Sequence, residues 1–237
     1  MAIRGILFDK DGTLLDFHAT WGPINRIVAL TLARGDERLA ERLLQAGGVD
    51  PASERTRAGS ALAQGNTIEI ASLWAPALPE RALGELVEEI DRLYVEGAAG
   101  AVALGELRPL LERLSARGMK LGLATSDSAR GAAASLKALG VLDLFDFVAG
   151  YDSGHGVKPS PGMALAFCAA TGLQPKEIAV VGDSRHDLEM GRAAGAGLVL
   201  GVLSGTGTAD DLGARADRLL ADIGELEALL DLEAANS

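Results

Sequence analysis

Five short apolar runs, separated mostly by helix-like segments, restrict the fold of this chain more than any other feature. The runs predict strands at residues 3–9, 120–126, 145–151, 178–183 and 197–203. Runs this apolar are typical of strands that are buried on both faces. The helix-like segments at 128–140 and 162–172 each end on a glycine. Alternating strands and helices predict an α/β fold, in which helices cover both faces of a parallel sheet.

The interval from residue 17 to 104 has no convincing strand pattern. Apolar residues recur there at helical spacing, for example at Leu83, Leu86 and Ile90. Roughly 90 residues between two strands are far more than a crossover connection needs. The sequence therefore predicts an all-helical cap domain at 17–104, inserted into an α/β catalytic core formed by 1–16 and 105–237.

The charge and composition of the chain narrow its partners. The net charge is −11, and there is no run of lysines and arginines, so neither nucleic acid nor an anionic membrane is an expected partner. The sequence predicts no membrane span and no signal peptide. Cys168 is the single cysteine, which excludes an internal disulfide and suits a reducing compartment. We expect a cytoplasmic protein that is a monomer or a homodimer.

The first predicted strand ends in two carboxylates, Asp9 and Asp11, which a strand places on the same side. At about 4 Å and an effective dielectric constant near 20, their repulsion costs roughly 4 kcal/mol. A divalent cation would offset that cost. The alternative is a solvated acidic turn, because Asp-Gly is a common turn sequence. The pair alone leaves both interpretations open.

The next three predicted strands are also followed by polar side chains. Strand two ends in Thr125 and Ser126, the loop after strand three contains Lys158, and strand four ends at Asp183, with Asp187 four residues later. Ligands of open parallel sheets bind at the carboxyl ends of the strands. These residues are therefore expected to face one crevice.

Each member of this set has an economical role in phosphoryl transfer. Asp9 is expected to be a carboxylate nucleophile, and Asp9 and Asp183 are expected to be oxygen ligands for Mg²⁺. Asp11 is left to protonate a departing alkoxide and then to deprotonate the attacking water. The residues expected to bind the phosphoryl group are Asp11, Gly12, Thr125, Ser126 and Lys158.

Four sequence motifs in this order resemble those of the haloacid dehalogenase superfamily. They are DKDGTL, the Thr-Ser pair after strand two, Lys158 in GVKPSP, and GDSRHD. The phosphoglycolate-phosphatase-like branch of this superfamily is most similar to two segments of the chain, VKPSP and VVGDSRHDLEMGRAAGA. The resemblance implies a three-layer Rossmann-like core with a helical cap inserted after the first motif.

The resemblance also implies residue roles. Asp9 would be the nucleophile and Asp11 the general acid/base, which would also give the metal its backbone carbonyl. Asp183 would supply a carboxylate to the metal. Asp187 would orient a metal-bound water or Lys158.

These observations favour a Mg²⁺-dependent phosphomonoester hydrolase for a small phosphorylated metabolite, acting through an aspartyl-phosphate. A phosphomutase of the β-phosphoglucomutase type uses the same intermediate, and only the cap loop at 55–66 would separate the two. A metal-free dehalogenase is disfavoured because that branch lacks an aspartate at the position of Asp11. A phospho-accepting receiver domain is disfavoured because such domains are shorter and have no helical insertion.

The sequence leaves the substrate itself open. Three cap residues could contact it: His18, just past the first motif, and the cationic pair Arg55 and Arg57. The arginines could meet a carboxylate or a second phosphate of the substrate. Solvated surface arginines are the more common alternative.

Overall fold

Six strands form one parallel sheet in the computed structural model, which describes residues 2–235. The strands are β1 (Gly5–Phe8), β2 (Lys120–Ala124), β3 (Phe147–Ala149), β4 (Ile178–Gly182), β5 (Leu198–Val202) and β6 (Arg218–Leu220). Their order is β3-β2-β1-β4-β5-β6, and every neighbouring pair is parallel. The predicted α/β fold is confirmed, and each of the five predicted strands is present.

The edge strand β6 is the element that the apolar pattern does not predict. It has three residues and pairs only with β5, with Arg218 opposite Leu200. An exposed arginine in so short a strand leaves no buried apolar run to recognise.

Eleven α-helices are present within residues 2–235. They are α1 (Phe17–Leu32), α2 (Glu37–Gly47), α3 (Ala61–Gln64), α4 (Thr67–Trp74), α5 (Leu83–Gly97), α6 (Leu107–Ala116), α7 (Ala129–Ala138), α8 (Gly162–Thr171), α9 (Arg185–Ala194), α10 (Ala209–Gly213) and α11 (Leu226–Ala235). None of the helices in this range combines the length and the apolar character that crossing a lipid bilayer requires.

Alternate side chains of β1 enter different cores, as expected for a strand between two helical layers. Ile6 and Phe8 pack with the leucines of α6 on one face. Leu7 packs with Phe167 of α8 on the other. The three β1 side chains are fully buried, as expected for a strand that pairs with β2 on one side and β4 on the other.

Helices α1 to α5 lie within the predicted helical insertion, and they have a hydrophobic core of their own. Its buried members all lie between Phe17 and Tyr94. Trp74 is completely buried there and donates its indole N–H to the Leu43 carbonyl at 2.8 Å. A separate core is what a distinct domain needs.

The chain enters and leaves the insertion through two paired segments. The Asp16 N–H donates to the Val102 carbonyl, and the Leu104 N–H donates to the Leu14 carbonyl, both at 2.9 Å. The boundaries at residues 16/17 and 104/105 stay a prediction, and these hydrogen bonds lie beside both of them.

One carboxylate of the cap contacts the core directly. Asp91 of α5 accepts a hydrogen bond from the Tyr151 hydroxyl at 2.7 Å and another from the Thr67 hydroxyl at 2.6 Å. Since Tyr151 follows β3, this contact holds the cap against the carboxyl end of the sheet.

Candidate active site

Asp9 is the first residue beyond β1. Its N–H donates a hydrogen bond to the Val181 carbonyl at 2.8 Å, which continues the pairing of β1 with β4. The residue is only 8% exposed. Its Oδ1 accepts a hydrogen bond from Lys158 Nζ at 2.6 Å. Burial and the charge of Asp187 together outweigh Lys158 and raise the pKa of Asp9 to about 7. A further positive charge beside Asp9 would favour its ionised form.

Lys158 reaches the strand ends from the loop after β3 and bridges two carboxylates. Its Nζ lies 2.6 Å from Asp9 Oδ1 and 2.5 Å from Asp187 Oδ1. Burial alone would lower the pKa of Lys158, but the charges of Asp187 and Asp9 raise it above its ordinary value. The side chain therefore stays an ammonium group.

Asp187 is held from two sides at the start of α9. Its Oδ2 accepts hydrogen bonds from the Ser184 N–H at 3.0 Å and the Ser184 hydroxyl at 2.6 Å. This is the N-terminal capping box of the helix. Because Lys158 binds the other oxygen, both oxygens of Asp187 are already engaged.

Asp183 follows β4, and its Oδ2 accepts a hydrogen bond from the Thr206 N–H at 2.7 Å. Burial, followed by the charges of Asp9 and Asp187, raises the pKa of Asp183 well above its ordinary value. Gly12 gives this carboxylate its space. The φ of Gly12 is +86°, and a Cβ there would lie 2.6 Å from Asp183 Oδ2, so only glycine fits.

The three carboxylates of Asp9, Asp183 and Asp187 each present an oxygen within 4.8 Å of the others. All three residues are buried. Buried carboxylates this close repel one another unless cations or hydrogen bonds compensate them. The group could hold a metal ion, and oxygen ligands suit Mg²⁺.

Thr125 and Ser126 line the same pocket from the end of β2. Thr125 is 1% exposed, and its Oγ1 accepts a hydrogen bond from the Asp127 N–H at 3.1 Å. Capping of α7 falls instead to Ser128, whose Oγ accepts from the Gly131 N–H at 3.1 Å. The Thr125 hydroxyl hydrogen is therefore not needed for the helix.

Asp11 faces the pocket, and both its oxygens have partners. Trp21 Nε1 donates to Oδ1 at 2.6 Å, and Lys10 Nζ lies 3.2 Å from Oδ2. Burial raises the pKa of Asp11, opposed by the charge of Lys10. Lys10 also donates to Asp127 Oδ2 at 2.7 Å.

Lys10, Trp21 and Asp127 were not among the predicted site residues. One signal was available, namely a lysine between the two aspartates of DKD, at the end of a strand that is otherwise apolar. Trp21 fits the helical apolar spacing of α1 and gives no separate signal. Asp127 directly follows the Thr-Ser pair, where a turn aspartate is ordinary.

The cap supplies the wall opposite the carboxylates. Cap residues that line the pocket include Phe17, Trp21, Leu62, Ala63, Gln64, Gly65, Thr67, Ile70 and Tyr94. Within the described part of the chain, Lys158 is the only cationic side chain that lines this pocket. The wall therefore offers mostly apolar and small side chains to a bound molecule.

The three cap residues proposed from the sequence to contact substrate do not join the carboxylates. His18 and Arg55 line a second cavity on the cap, together with Arg26 and Glu41. Arg57 lines neither cavity. Burial, followed by the charge of Arg55, lowers the pKa of His18. Their contact with substrate stays a prediction.

The family model for haloacid dehalogenase-like hydrolases matches residues 3–195. The chain belongs to this family. Two solved structures show that the haloacid dehalogenase-like fold extends over nearly the whole chain. A predicted phosphoglycolate phosphatase of Haemophilus somnus has a TM-score of 0.71 at 20% identity, covering 96% of this chain and 97% of that one. A phosphatase of the family from Thermococcus onnurineus has a TM-score of 0.68 at 23% identity, covering 96% and 98%.

Curated relatives of this haloacid dehalogenase-like hydrolase include phosphoglycolate phosphatases. The Yersinia pseudotuberculosis enzyme is 32% identical over 197 residues, which are 82% of this chain and 78% of that protein. The Escherichia coli enzyme is 30% identical over 208 residues, which are 81% and 79%. The family and these relatives together indicate a phosphatase.

Proposed function

We propose that this phosphatase hydrolyses a small phosphomonoester with Mg²⁺, through a phosphorylated Asp9. The observation that carries the proposal is the cluster at the sheet edge. Carboxylate oxygens of Asp9, Asp183 and Asp187 lie within 4.8 Å of one another, and Lys158 bridges two of these residues. Asp11 faces the same pocket. A nucleophile, a cation and an acid/base thus surround one small space.

The carboxylates fit a magnesium ion. Burial and mutual repulsion raise the pKa values of Asp9 and Asp183, and a bound cation would offset both effects by stabilising the ionised carboxylates. The side chains of Asp9 and Asp183 and the backbone carbonyl of Asp11 would hold it. Both oxygens of Asp187 already accept hydrogen bonds, so we assign Asp187 to orienting Lys158. When bound, the ion supplies positive charge against the phosphoryl oxygens.

The reaction has two steps that share one proton carrier. An oxygen of Asp9 bonds to phosphorus while the bond to the leaving oxygen breaks, and Asp11 gives that oxygen a proton. Asp11 then takes a proton from water as the water oxygen bonds to phosphorus and the bond to Asp9 breaks. Inorganic phosphate and an alcohol leave, and both carboxyl groups return to their starting states.

The groups proposed to bind the phosphoryl oxygens surround Asp9. The Thr125 hydroxyl accepts a hydrogen bond from the backbone, so its own hydrogen can be donated to a phosphoryl oxygen. Ser126 lies beside it in the pocket lining. Lys158 supplies charge, and Gly12 lets the backbone turn close to the phosphate.

A substrate panel tests the function and narrows the substrate class. Phosphoglycolate comes first because of the relatives, and 2-hydroxyethyl phosphate is its matched partner without the carboxylate. Comparing the two measures what the carboxylate contributes in a pocket whose described lining has one cationic side chain. The full chain with Mg²⁺ is expected to release inorganic phosphate. The panel also contains β-glucose 1-phosphate, and its conversion to an isomeric phosphate without that release indicates a mutase. Inactivity on every compound overturns the proposal.

Asp11→Asn is expected to separate two kinds of substrate. An alkyl leaving group needs a proton, whereas p-nitrophenolate does not, and general acid catalysis contributes about 10²–10⁴-fold. The variant should therefore lose far more kcat/KM on alkyl phosphates than on p-nitrophenyl phosphate. Steady-state kinetics on both substrates provide the measurement. Equal losses on the two would remove Asp11 from the role of general acid.

A further inference from the structure

Lys10 is a buried cation that the proposed reaction does not use. Its side chain is 0% exposed, although it lies between two pocket-facing aspartates. Its Nζ lies 2.7 Å from Asp127 Oδ2, 3.2 Å from Asp11 Oδ2 and 4.9 Å from the centroid of the Trp21 ring. Two carboxylates and an aromatic face therefore surround the ammonium group.

Each oxygen of the Asp11 carboxyl group contacts a donor, and the two donors come from different parts of the molecule. Lys10 approaches Oδ2 from the core, and Trp21 Nε1 donates to Oδ1 from helix α1 of the cap. Trp21 is itself fixed, since its ring packs edge-on against Tyr94 with centroids 4.8 Å apart. Two donors on opposite oxygens define the plane of a carboxyl group.

Asp127 holds Lys10 in place from behind. Its Oδ2 accepts the hydrogen bond from Lys10 Nζ, and its Oδ1 accepts one from the Ser128 N–H at 2.7 Å. The Asp127 N–H donates to Thr125 Oγ1. The chain of contacts thus links the turn after β2, where the phosphoryl group is proposed to bind, to the acid/base.

Stability alone does not account for this arrangement. Removing an ammonium group from water is costly, and a buried ion pair often stabilises a fold less than well-packed apolar side chains do. We propose that Lys10 is a positioning residue, which with Asp127 and the Trp21 N–H holds the Asp11 carboxyl group in the orientation for proton delivery to the leaving oxygen. This inference rests on the acid/base role proposed for Asp11.

The test is Lys10→Met, which keeps an unbranched chain of similar length and removes the charge. Its kcat/KM is expected to fall at least about tenfold more on phosphoglycolate and glycerol 3-phosphate than on p-nitrophenyl phosphate. This loss is a fraction of the contribution of a general acid, which is about 10²–10⁴-fold. Lys120→Met is the matched control, because Lys120 pairs with Asp146 at 2.7 Å but is about half exposed. Lys120→Met should leave kcat/KM unchanged on the alkyl phosphates and on p-nitrophenyl phosphate.

A double variant separates positioning from charge balance. Lys10→Met/Asp127→Asn also neutralises the closer carboxylate partner of Lys10, so it should regain part of the thermal stability that Lys10→Met loses and still show the selective loss on alkyl phosphates. It also carries the test if the single variant does not fold. Equal losses on all substrates, or recovery of alkyl activity in the double variant, overturn the inference.

Asp11→Asn, measured beside these variants, distinguishes the two proposals. If it shows no dependence on the leaving group, the acid role of Asp11 fails. If it shows that dependence and the Lys10 variants do not, only the positioning role fails. Trp21→Phe, which keeps an aromatic side chain and removes the N–H, should shift the same ratio in the same direction as Lys10→Met.

Discussion

Asp9→Asn is expected to abolish turnover while the protein stays folded. The amide has the shape of the carboxylate but cannot attack phosphorus, and removing a nucleophile costs on the order of 10⁶-fold in kcat in a covalent hydrolase. The fold should tolerate the change, because burial already raises the pKa of Asp9 and Lys158 keeps Asp187 as its partner. Phosphate release and thermal unfolding provide the measurements.

A chemical trap makes this expectation specific to the covalent step. Wild-type enzyme quenched in acid during turnover should carry a phosphoryl group on the peptide that contains Asp9, as detected by mass spectrometry. The variant should carry none. Asp143→Asn is a suitable control, since this carboxylate lies at the surface beside Arg108, and it should behave as wild type. Hydrolysis at the wild-type rate by Asp9→Asn would end the covalent interpretation.

The strand ends could be predicted because two signals coincide there. A buried strand has to be apolar, so the position at which polarity begins marks its end, and parallel strands end at one edge. Asp9, Thr125 and Asp183 are recognisable on these grounds although they are far apart in sequence. The structure adds that Phe8 lies opposite Leu123 and Val181. Asp9 follows Phe8 directly, and Thr125 and Asp183 each lie two residues beyond its partners, so all three are at one edge of the sheet.

Contacts that depend on side-chain direction were not accessible in the same way. Lys10 and Asp127 are separated by 117 residues, and nothing in the local pattern of either predicts the pair. The position of the cap over the sheet is likewise a tertiary feature. It decides that Leu62 and Gln64 line the active-site pocket whereas His18 and Arg55 line another cavity.

Mg²⁺ is expected to raise the thermal stability of the wild-type protein. Under the proposed function the cation would bind the clustered carboxylates of the folded state, and the gain would be RT ln(1 + [L]/Kd), about 2.7 kcal/mol at a hundredfold excess over Kd. For a chain of this size, that gain corresponds to about 5–10 °C in Tm. Thermal unfolding in EDTA and in Mg²⁺ provides the measurement, and Ca²⁺ serves as a comparison cation of larger radius.

The gain from Mg²⁺ should also depend on pH. The pKa of Asp9, about 7 in the folded protein without metal, lies above its unfolded value. The proton therefore stabilises the metal-free fold at low pH, and this contribution is lost as the pH rises through about 7. Mg²⁺ must displace that proton below pH 7, so its stabilisation should be larger at about pH 8 than at about pH 6.

Asp183→Asn is expected to remove most of the Mg²⁺-dependent gain together with activity. In EDTA the variant should melt no lower than wild type. Burial and the charge of Asp9 disfavour the ionised form of Asp183 and raise its pKa, so a neutral amide removes an unfavourable charge. The amide oxygen can still accept a hydrogen bond from the Thr206 N–H. Loss of a metal ligand explains both effects at once, whereas a damaged fold would lower the Tm in EDTA as well. If Mg²⁺ leaves the wild-type Tm unmoved and phosphatase activity persists in EDTA, the metal proposal fails. The acidic pair of DKD would then be a turn that the neighbouring lysines alone compensate.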